Sequence, residues 1–432
     1  MTTNRRSAQL LVASCTALTD AIGRHMPAGP YRDFAAWAFS PRNPRRQEFL
    51  QATGVTQLIN MNTTLLSGLV DESDWPELLR FASLMNAYQV LEVISDNLAF
   101  GLGSTSLDEE ALQRRTLVSS VNKAMIEALT PDRRMPAVLL LAGQARHVAQ
   151  FASGFDQSLT ATKHADMAEE YARFRAAEGL AAPSLEELEY GVWPALVAGV
   201  EVCREVVDAL AGTATSGLLR QGLADRYRSV DRTLFAEHLS RLELAALGAQ
   251  TILVGPTLAY LTGALLEKVV RLRGYPSIVL NGSLSEVLSD AALLVRLQND
   301  IGTRLLRMAP VQQGTVLNGL DGSGSVFEAL GRAEDPAFTR LQKDIRNAES
   351  NVALWHARRA VGDADARKML GDSLAYFAGL YAQHSARLTN GLAELDERLA
   401  DRRASTMIER MVRFHERMYS HRHTESVGEY AI

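Results

Sequence analysis

Three oxygen-bearing side chains and one arginine recur at helical spacing between residues 299 and 307. Asn299, Thr303 and Arg307 are each four residues apart, and Asp300 directly follows Asn299. At about 3.6 residues per turn, the first three would share one face of a helix across roughly 12 Å. Carboxylate and other oxygens are the ligands that Mg²⁺ takes, together with water and substrate phosphate. The pattern therefore predicts a magnesium-binding helix.

Apolar residues surround these polar side chains at helical intervals. They are Leu293, Leu294, Leu297, Ile301, Leu305 and Leu306. The sequence therefore predicts one amphipathic helix over residues 283–307 that enters a core. A glycine-rich loop, residues 309–325, follows this helix and could close over a ligand.

Two further carboxylates lie in an apolar stretch nearer the start of the chain. Glu92 and Asp96 are four residues apart, on a helix predicted over residues 74–102. Carboxylates in such surroundings are paired with a cation or have strongly shifted pKa values. Two opposed helices that carry such oxygens would hold magnesium ions against a diphosphate. The alternative is that Asp96 is a solvated residue near a helix end.

The composition is that of an ordinary globular protein. Of the 432 residues, 47% are hydrophobic and 22% are charged, which argues against disorder. The 45 basic and 50 acidic residues are spread along the chain, so no basic stripe indicates nucleic acid as a partner. Cys15 and Cys203 lack the spacing of a metal site or a disulfide framework. We expect a cytoplasmic protein without stable membrane insertion, because we find neither a signal-peptide pattern nor a bilayer-length apolar run.

Helical periodicity extends through almost the whole chain, and we find no strand-type alternation longer than four residues. The sequence therefore predicts an all-α fold. Four prolines in residues 26–47 predict an irregular arm. We expect residues 1–60 to form an N-terminal helix and this arm, and residues 61–432 to form one helical domain.

The polar segments resemble a known family. Residues 296–303, Arg-Leu-Gln-Asn-Asp-Ile-Gly-Thr, resemble the second metal motif of class I terpene synthases, (N/D)Dxx(S/T)xxxE preceded by Arg-Leu. Residues 244–263 are similar to the broken helix that precedes this motif in kaurene-synthase-like diterpene synthases. Residues 313–320 resemble the Gly-x-x-Asn segment that follows it. Residues 92–103 occupy the place of the aspartate-rich first motif, and residues 419–423 resemble the C-terminal Arg-Tyr diphosphate contact.

This resemblance implies a helical bundle around a central apolar cavity. It implies a lyase that ionises a prenyl diphosphate with Mg²⁺, geranylgeranyl diphosphate being favoured, and cyclises or rearranges the cation to a hydrocarbon or alcohol. The metal ligands that it implies are Asp96, Asn299, Asp300 and Thr303, with Glu92. The diphosphate contacts that it implies are Arg307, Arg422, Arg296 and Arg241. Candidate aromatic residues for lining the cavity are Tyr88, Phe100, Phe151, Phe155, Trp193 and Tyr260.

Two positions depart from the pattern of the family. Arg307 stands where the second motif has glutamate, and Asp96-Asn97-Leu-Ala-Phe100 replaces Asp-Asp-x-x-Asp. Two acidic ligands are therefore missing, and a guanidinium could take the place of one metal charge. The motifs are also far apart, so either an insertion separates them or the first motif lies elsewhere. The other candidates for it are Asp156-Gln157 and the cluster of His164, Asp166, Glu169 and Glu170.

Two alternative functions stay open. The first is prenyl transfer by the same fold, in which a second substrate captures the cation. The second is a non-catalytic helical protein that binds an apolar ligand or a protein partner. Metal binding by the altered motifs would separate the lyase from this binder, and a homodimer is compatible with each of them.

Overall fold

The computed structural model describes residues 2–97, 102–103, 105, 108–131, 134–144, 165–184, 187–188, 192–320 and 324–420. Every regular element in these ranges is helical, and none of them is a strand. The prediction of an all-α fold is therefore confirmed.

The helices are named in chain order. The first ten are α1 (Thr2–His25), α2 (Pro30–Phe39), α3 (Arg46–Ala52), α4 (Val55–Leu66), α5 (Trp75–Asn97), α6 (Glu109–Ala128), α7 (Ala137–Leu140), α8 (Ala165–Ala177), α9 (Val192–Ala209) and α10 (Thr215–Phe235). The next five are α11 (Arg241–Thr251), α12 (Val254–Gly263), α13 (Tyr275–Leu280), α14 (Ser283–Ile301) and α15 (Thr303–Leu306). The last five are α16 (Pro310–Asn318), α17 (Val326–Arg332), α18 (Thr339–Arg346), α19 (Asp363–Leu399) and α20 (Arg403–Met418). A π-helical segment, Ala264–Val269, continues α12.

The chain divides into two compact units, each built from separate stretches of sequence. The first unit contains Met1–Ala99, Gln113–Arg220 and Gly263–Arg271. The second unit contains Phe100–Leu112, Gln221–Thr262 and Leu272–Ile432. The sequence predicted a different division, with a domain boundary at residue 60, and that boundary stays a prediction.

The first unit is centred on α5, which packs against α1 and α9. Residues on nearly every side of α5 are buried, including Leu78, Phe81 and Tyr88. A helix that is buried all round belongs to the interior of a unit. This central position explains why the sequence of α5 lacks a clear polar face.

The second unit is centred on α14, which packs against α11, α19 and α20. The predicted apolar stripe is buried in full: Leu293, Leu294, Leu297, Ile301, Leu305 and Leu306. The sequence pattern therefore identified the face of α14 that enters the core, and it placed Asp300 at the same depth.

Two segments that were predicted to be irregular contain helices. The arm over residues 26–47 contains α2, and the loop over residues 309–325 contains α16. Each of these helices begins with a proline, Pro30 in α2 and Pro310 in α16. The first turn of a helix tolerates proline because its N–H would have no partner inside the helix.

No single helix in the described ranges is long and apolar enough to cross a membrane. The pair Arg241–Thr251 and Val254–Val269 reaches that length and composition only when its two parts are counted together, and it is bent by 45° at the break between them.

Candidate functional site

The helix that carries Asn299 and Asp300 ends earlier than the sequence suggested. Gly302 adopts φ +89° and ψ 141°, so α14 stops at Ile301 and α15 begins at Thr303. A Cβ at Gly302 would lie 3.3 Å from Cγ of Arg340, so the close approach of this arginine also favours glycine. The prediction of one helix over residues 283–307 was therefore wrong. Asn299, Thr303 and Arg307 do not share one helical face.

Asp300 is fully buried, and its carboxylate is held by three neighbours. Arg296 donates from Nε and Nη2 to Oδ2, at 3.0 and 2.8 Å. The backbone N–H of Val352 donates to the same oxygen at 2.9 Å, and Asn299 Nδ2 donates to Oδ1 at 3.2 Å. A buried charge of this kind is tolerated only when it is paired and hydrogen-bonded. Asp300 therefore forms the centre of a charged cluster in the second unit.

Arg296 connects this cluster to the break between α11 and α12. Its Nη1 donates to Thr251 Oγ1 at 3.3 Å, and its Nη2 donates to the carbonyl of Ser350 at 3.1 Å. Gly248 lies beside it, and a Cβ there would come 3.2 Å from Cγ of Arg296. The glycine thus lets α11 lie close to α14. The segment that resembles a broken helix and the Asn-Asp segment are in direct contact.

The other predicted ligands of the Asn-Asp segment have protein partners. Arg340 donates to the carbonyl of Asn299 and, at 2.6 Å, to its side-chain Oδ1. Thr303 is buried and donates from Oγ1 to the carbonyl of Glu416 at 3.0 Å. Arg307 is 63% exposed and forms an ion pair with the Glu416 carboxylate. These contacts attach the segment to α18 and α20.

In this arrangement the oxygens of Asn299, Asp300 and Thr303 do not fit a magnesium site. The Asp300 and Asn299 oxygens face N–H donors, and the Thr303 hydroxyl points at a main-chain carbonyl. Within the part of the chain that the structure describes, no three His, Cys, Asp or Glu side chains are grouped as metal ligands. Magnesium binding stays a prediction, and it would require these oxygens to exchange their protein partners for the ion.

Sequence reasoning missed a second buried carboxylate, Asp344 of α18. Its Oδ2 accepts a hydrogen bond from Asn351 Nδ2 at 2.7 Å. Its Oδ1 has no hydrogen-bond partner among the described residues, and Lys343 Nζ lies 3.6 Å from it. Burial raises the pKa of Asp344 to about 6, and the negative charges of Asp300 and Glu349 add to the effect.

Asn351 links the carboxylate of Asp344 to the main chain of Asp300. The same Nδ2 that donates to Asp344 also donates to the carbonyl of Asp300, at 2.7 Å. Its Oδ1 accepts from the backbone N–H groups of Ala353 and Leu354, at 2.9 and 3.2 Å. This turn places the N–H of Val352 against the Asp300 carboxylate.

The turn before Asn351 has an unusual backbone. Ala348 adopts φ +47°, the left-handed region that favours glycine. Its N–H donates to Ile345 O, and the N–H of Glu349 donates to Asp344 O, which is the hydrogen-bond pattern of a Schellman helix end. Gly103 N–H donates to the carbonyl of Ala348 at 2.8 Å. Gly103 is therefore anchored at this turn within the second unit.

Two further arginines stabilise the cluster. Arg358 donates to three main-chain carbonyls around the turn, those of Asp344, Glu349 and Gly103. Burial lowers the pKa of Arg358. Arg340 is buried, and its guanidinium lies 4.7 Å from the ring centre of Tyr419, whose pKa burial raises to about 12. The cluster therefore balances acidic groups with guanidinium groups.

Of the remaining predicted contacts, Arg241 and Glu92 are among the described residues. Arg241 begins α11, roughly 15 Å along the helix from Thr251, and it donates to Ser373 Oγ at 3.2 Å. Glu92 is buried in the first unit. Asp96 lies in α5, but its side chain is outside the described residues, and so is the whole of Arg422.

The alternative first motifs are only partly described. Residues 156, 157 and 164 and the side chain of Asp166 lie outside the described residues. Glu169 and Glu170 lie in the first turns of α8, and Glu170 pairs with Arg173 at 2.9 Å. These contacts are typical of a charged helix start.

The candidate aromatic residues belong to different units. Tyr88 is buried in the first unit and Tyr260 in the second, while Trp193 donates to the carbonyl of Leu141 at 2.7 Å. Phe100, Phe151 and Phe155 lie outside the described residues. Their predicted role in lining a cavity stays a prediction.

No protein-family model, curated protein or solved structure matches this chain.

Proposed function

We propose that this protein is a prenyl diphosphate lyase of the class I terpene synthase type. It would ionise a C20 substrate, geranylgeranyl diphosphate, and cyclise or rearrange the cation to a hydrocarbon or alcohol. One observation carries the proposal: Arg296 joins the buried Asp300 carboxylate to Thr251 at the helix break. The two segments that resemble this family thus meet at one guanidinium group.

The chemistry assigned to Arg296 follows from its partners. A guanidinium can bind two phosphate oxygens at once, and here two nitrogens of Arg296 contact one carboxylate oxygen, Oδ2 of Asp300. Its side chain is 15% exposed, so part of it is accessible to a substrate. A diphosphate that replaced Asp300 as its partner would be stabilised as negative charge develops on the leaving group. Asp300 would hold the guanidinium in place before the substrate arrives.

The predicted roles of Mg²⁺, Arg307 and Arg422 belong to the same proposal. No step is assigned to the metal, because the described oxygens face protein partners. If Arg296, Arg340 and Arg358 supply the positive charge, fewer metal ions are needed. A weak dependence of turnover on Mg²⁺ would then indicate that these arginines replace metal ions that the family uses.

The non-catalytic binder remains the second candidate, and one observation favours it. Arg307 and Thr303, both predicted to face substrate or metal, are bound to Glu416 of α20. Contacts of this kind can simply stabilise the packing of a helix end. Such a protein would keep its fold and bind an apolar ligand without releasing diphosphate.

The test is to incubate the purified protein with geranylgeranyl diphosphate, with and without Mg²⁺, and to extract the volatile products. We expect a cyclised or rearranged C20 product from the natural chain. Asp300→Asn should remove this activity, because a neutral amide forms no ion pair and would no longer hold the Arg296 guanidinium in place. Asparagine is preferable to alanine, since it keeps the shape of the side chain and an oxygen that can accept from Arg296 and from Val352 N–H. Both substitutions break a buried ion pair, which costs about 3–5 kcal/mol of stability.

Asp290→Asn is the matched control. Asp290 is also a buried carboxylate of α14, but it pairs with His384 of α19, at 2.6 Å. The control should keep the activity of the natural chain. Intact helix content by circular dichroism, together with no product under either condition, would favour the binder.

A further inference from the structure

Asp344 is a buried acidic group for which the proposed chemistry has no role. It is 2% exposed, and it lies in the same unit as Asp300. A carboxylate held at this depth costs free energy unless it is paired and hydrogen-bonded. Only one of its two oxygens has a hydrogen-bond partner in the part of the chain that is described.

A continuous chain of hydrogen bonds leads from Asp344 to Asp300. Asp344 Oδ2 accepts from Asn351 Nδ2, which is also bonded to the Asp300 carbonyl. The following residue, Val352, donates its N–H to the Asp300 carboxylate. The main-chain carbonyl of Asp344 accepts from Glu349 N–H, so the same residue also fixes the start of the turn. Asp344 is therefore connected to Asp300 in two ways: through the side chain of Asn351, and through the turn that carries Val352 N–H.

We infer that Asp344 is a positioning residue for the reaction, which orients the Asp300 carboxylate through Asn351. This inference rests on the proposed function, because Asp300 is the residue that is positioned. Asp344 itself binds no substrate in this account. Its role is to hold Val352 N–H and the end of α14 at the distance that keeps the Asp300–Arg296 pair aligned.

The charged groups around Asp344 shift its pKa without breaking its contact with Asn351. Its pKa is raised by burial and by the charges of Asp300 and Glu349, and it is lowered by the nearby cations Lys343 and Arg340. The buried guanidinium of Arg358 donates to its main-chain carbonyl. A proton on the free Oδ1 leaves Oδ2 able to accept from Asn351.

The test uses Asp344→Ala, Asp344→Asn and Asn351→Ala in the full chain. Asp344→Ala should lower kcat/KM for geranylgeranyl diphosphate about 10- to 100-fold, as loss of an outer partner of a catalytic group commonly does. Asp344→Asn keeps an oxygen for Asn351 and should restore most of that loss. The double variant Asp344→Ala/Asn351→Ala should be no worse than Asn351→Ala alone, because the two residues act in series. Equal activity of Asp344→Ala and the natural chain would overturn the inference.

Hydrogen exchange of the substrate-free protein separates this inference from the proposed function. Val352 N–H should exchange faster in Asp344→Ala and Asn351→Ala, and at the natural rate in Asp344→Asn. If no protein releases diphosphate but this exchange pattern holds, the proposed function fails while the positioning contact stands. If the natural chain is active and the Val352 exchange rate is unchanged in Asp344→Ala, the inference fails by itself.

Discussion

The raised pKa of Asp344 predicts a specific dependence of stability on pH. The pKa rises from 3.8 in the ordinary carboxyl to about 6 in the folded protein, because the side chain is buried beside Asp300. The folded state therefore binds this proton more tightly than the unfolded state does. The contribution to stability is complete below about pH 4 and is lost as the pH rises through about 6. At about 1.4 kcal/mol per pKa unit, the loss is about 3 kcal/mol.

Comparing the natural chain with Asp344→Asn isolates this contribution, because asparagine has the same shape as aspartate but no carboxyl group that titrates. The free energy of unfolding should be measured in urea from about pH 4 to about pH 7, following hydrogen exchange of peptides in the second unit. The stability of the natural chain, relative to the variant, should fall by about 3 kcal/mol across this range. An infrared band of a protonated carboxyl, lost in the variant, should titrate with the same midpoint. A difference in stability that stays constant, or that rises with pH, would refute the assigned pKa.

Three further substitutions test the local geometry, each by urea unfolding of the second unit. Gly302→Ala should destabilise it by at least about 1–2 kcal/mol, because alanine is strained at φ +89° and its Cβ would crowd Arg340; an unchanged midpoint would contradict the described helix break. Ala348→Gly should stabilise it by up to about 1 kcal/mol, since glycine relieves the left-handed φ but gains freedom in the unfolded chain. Arg307→Ala should change stability by less than about 1 kcal/mol, because its ion pair with Glu416 is largely exposed on the arginine side; a larger loss would show that the pair is structurally essential.

The sequence predicted the helical class and the buried face of α14 because both depend on local periodicity. Apolar residues at intervals of three and four identify the face of a helix that is buried, whatever packs against it. The early end of α14 was not predictable in this way. A glycine within a helical pattern is tolerated at modest cost, and at Gly302 the close approach of Arg340 from a distant segment favours a glycine.

The partners of the candidate site were harder still to predict. Asp344 lies in a short helix rich in charged residues, which reads as a solvated segment. The signal that could have identified it is Leu341, because Arg340, Leu341 and Asp344 fall on one helical face and all three are buried. The contact between Arg296 and Thr251 joins residues far apart in sequence. Spacing within one segment carries no information about such a pairing.

We propose that Arg296, held in place by Asp300, stabilises the diphosphate that leaves a prenyl substrate. The most direct test is the release of inorganic diphosphate from geranylgeranyl diphosphate by the natural chain, Asp300→Asn and Asp290→Asn under identical conditions. We expect release by the natural chain and by Asp290→Asn, and none by Asp300→Asn. Equal release by all three proteins, or none by the natural chain with or without Mg²⁺, would contradict the claim.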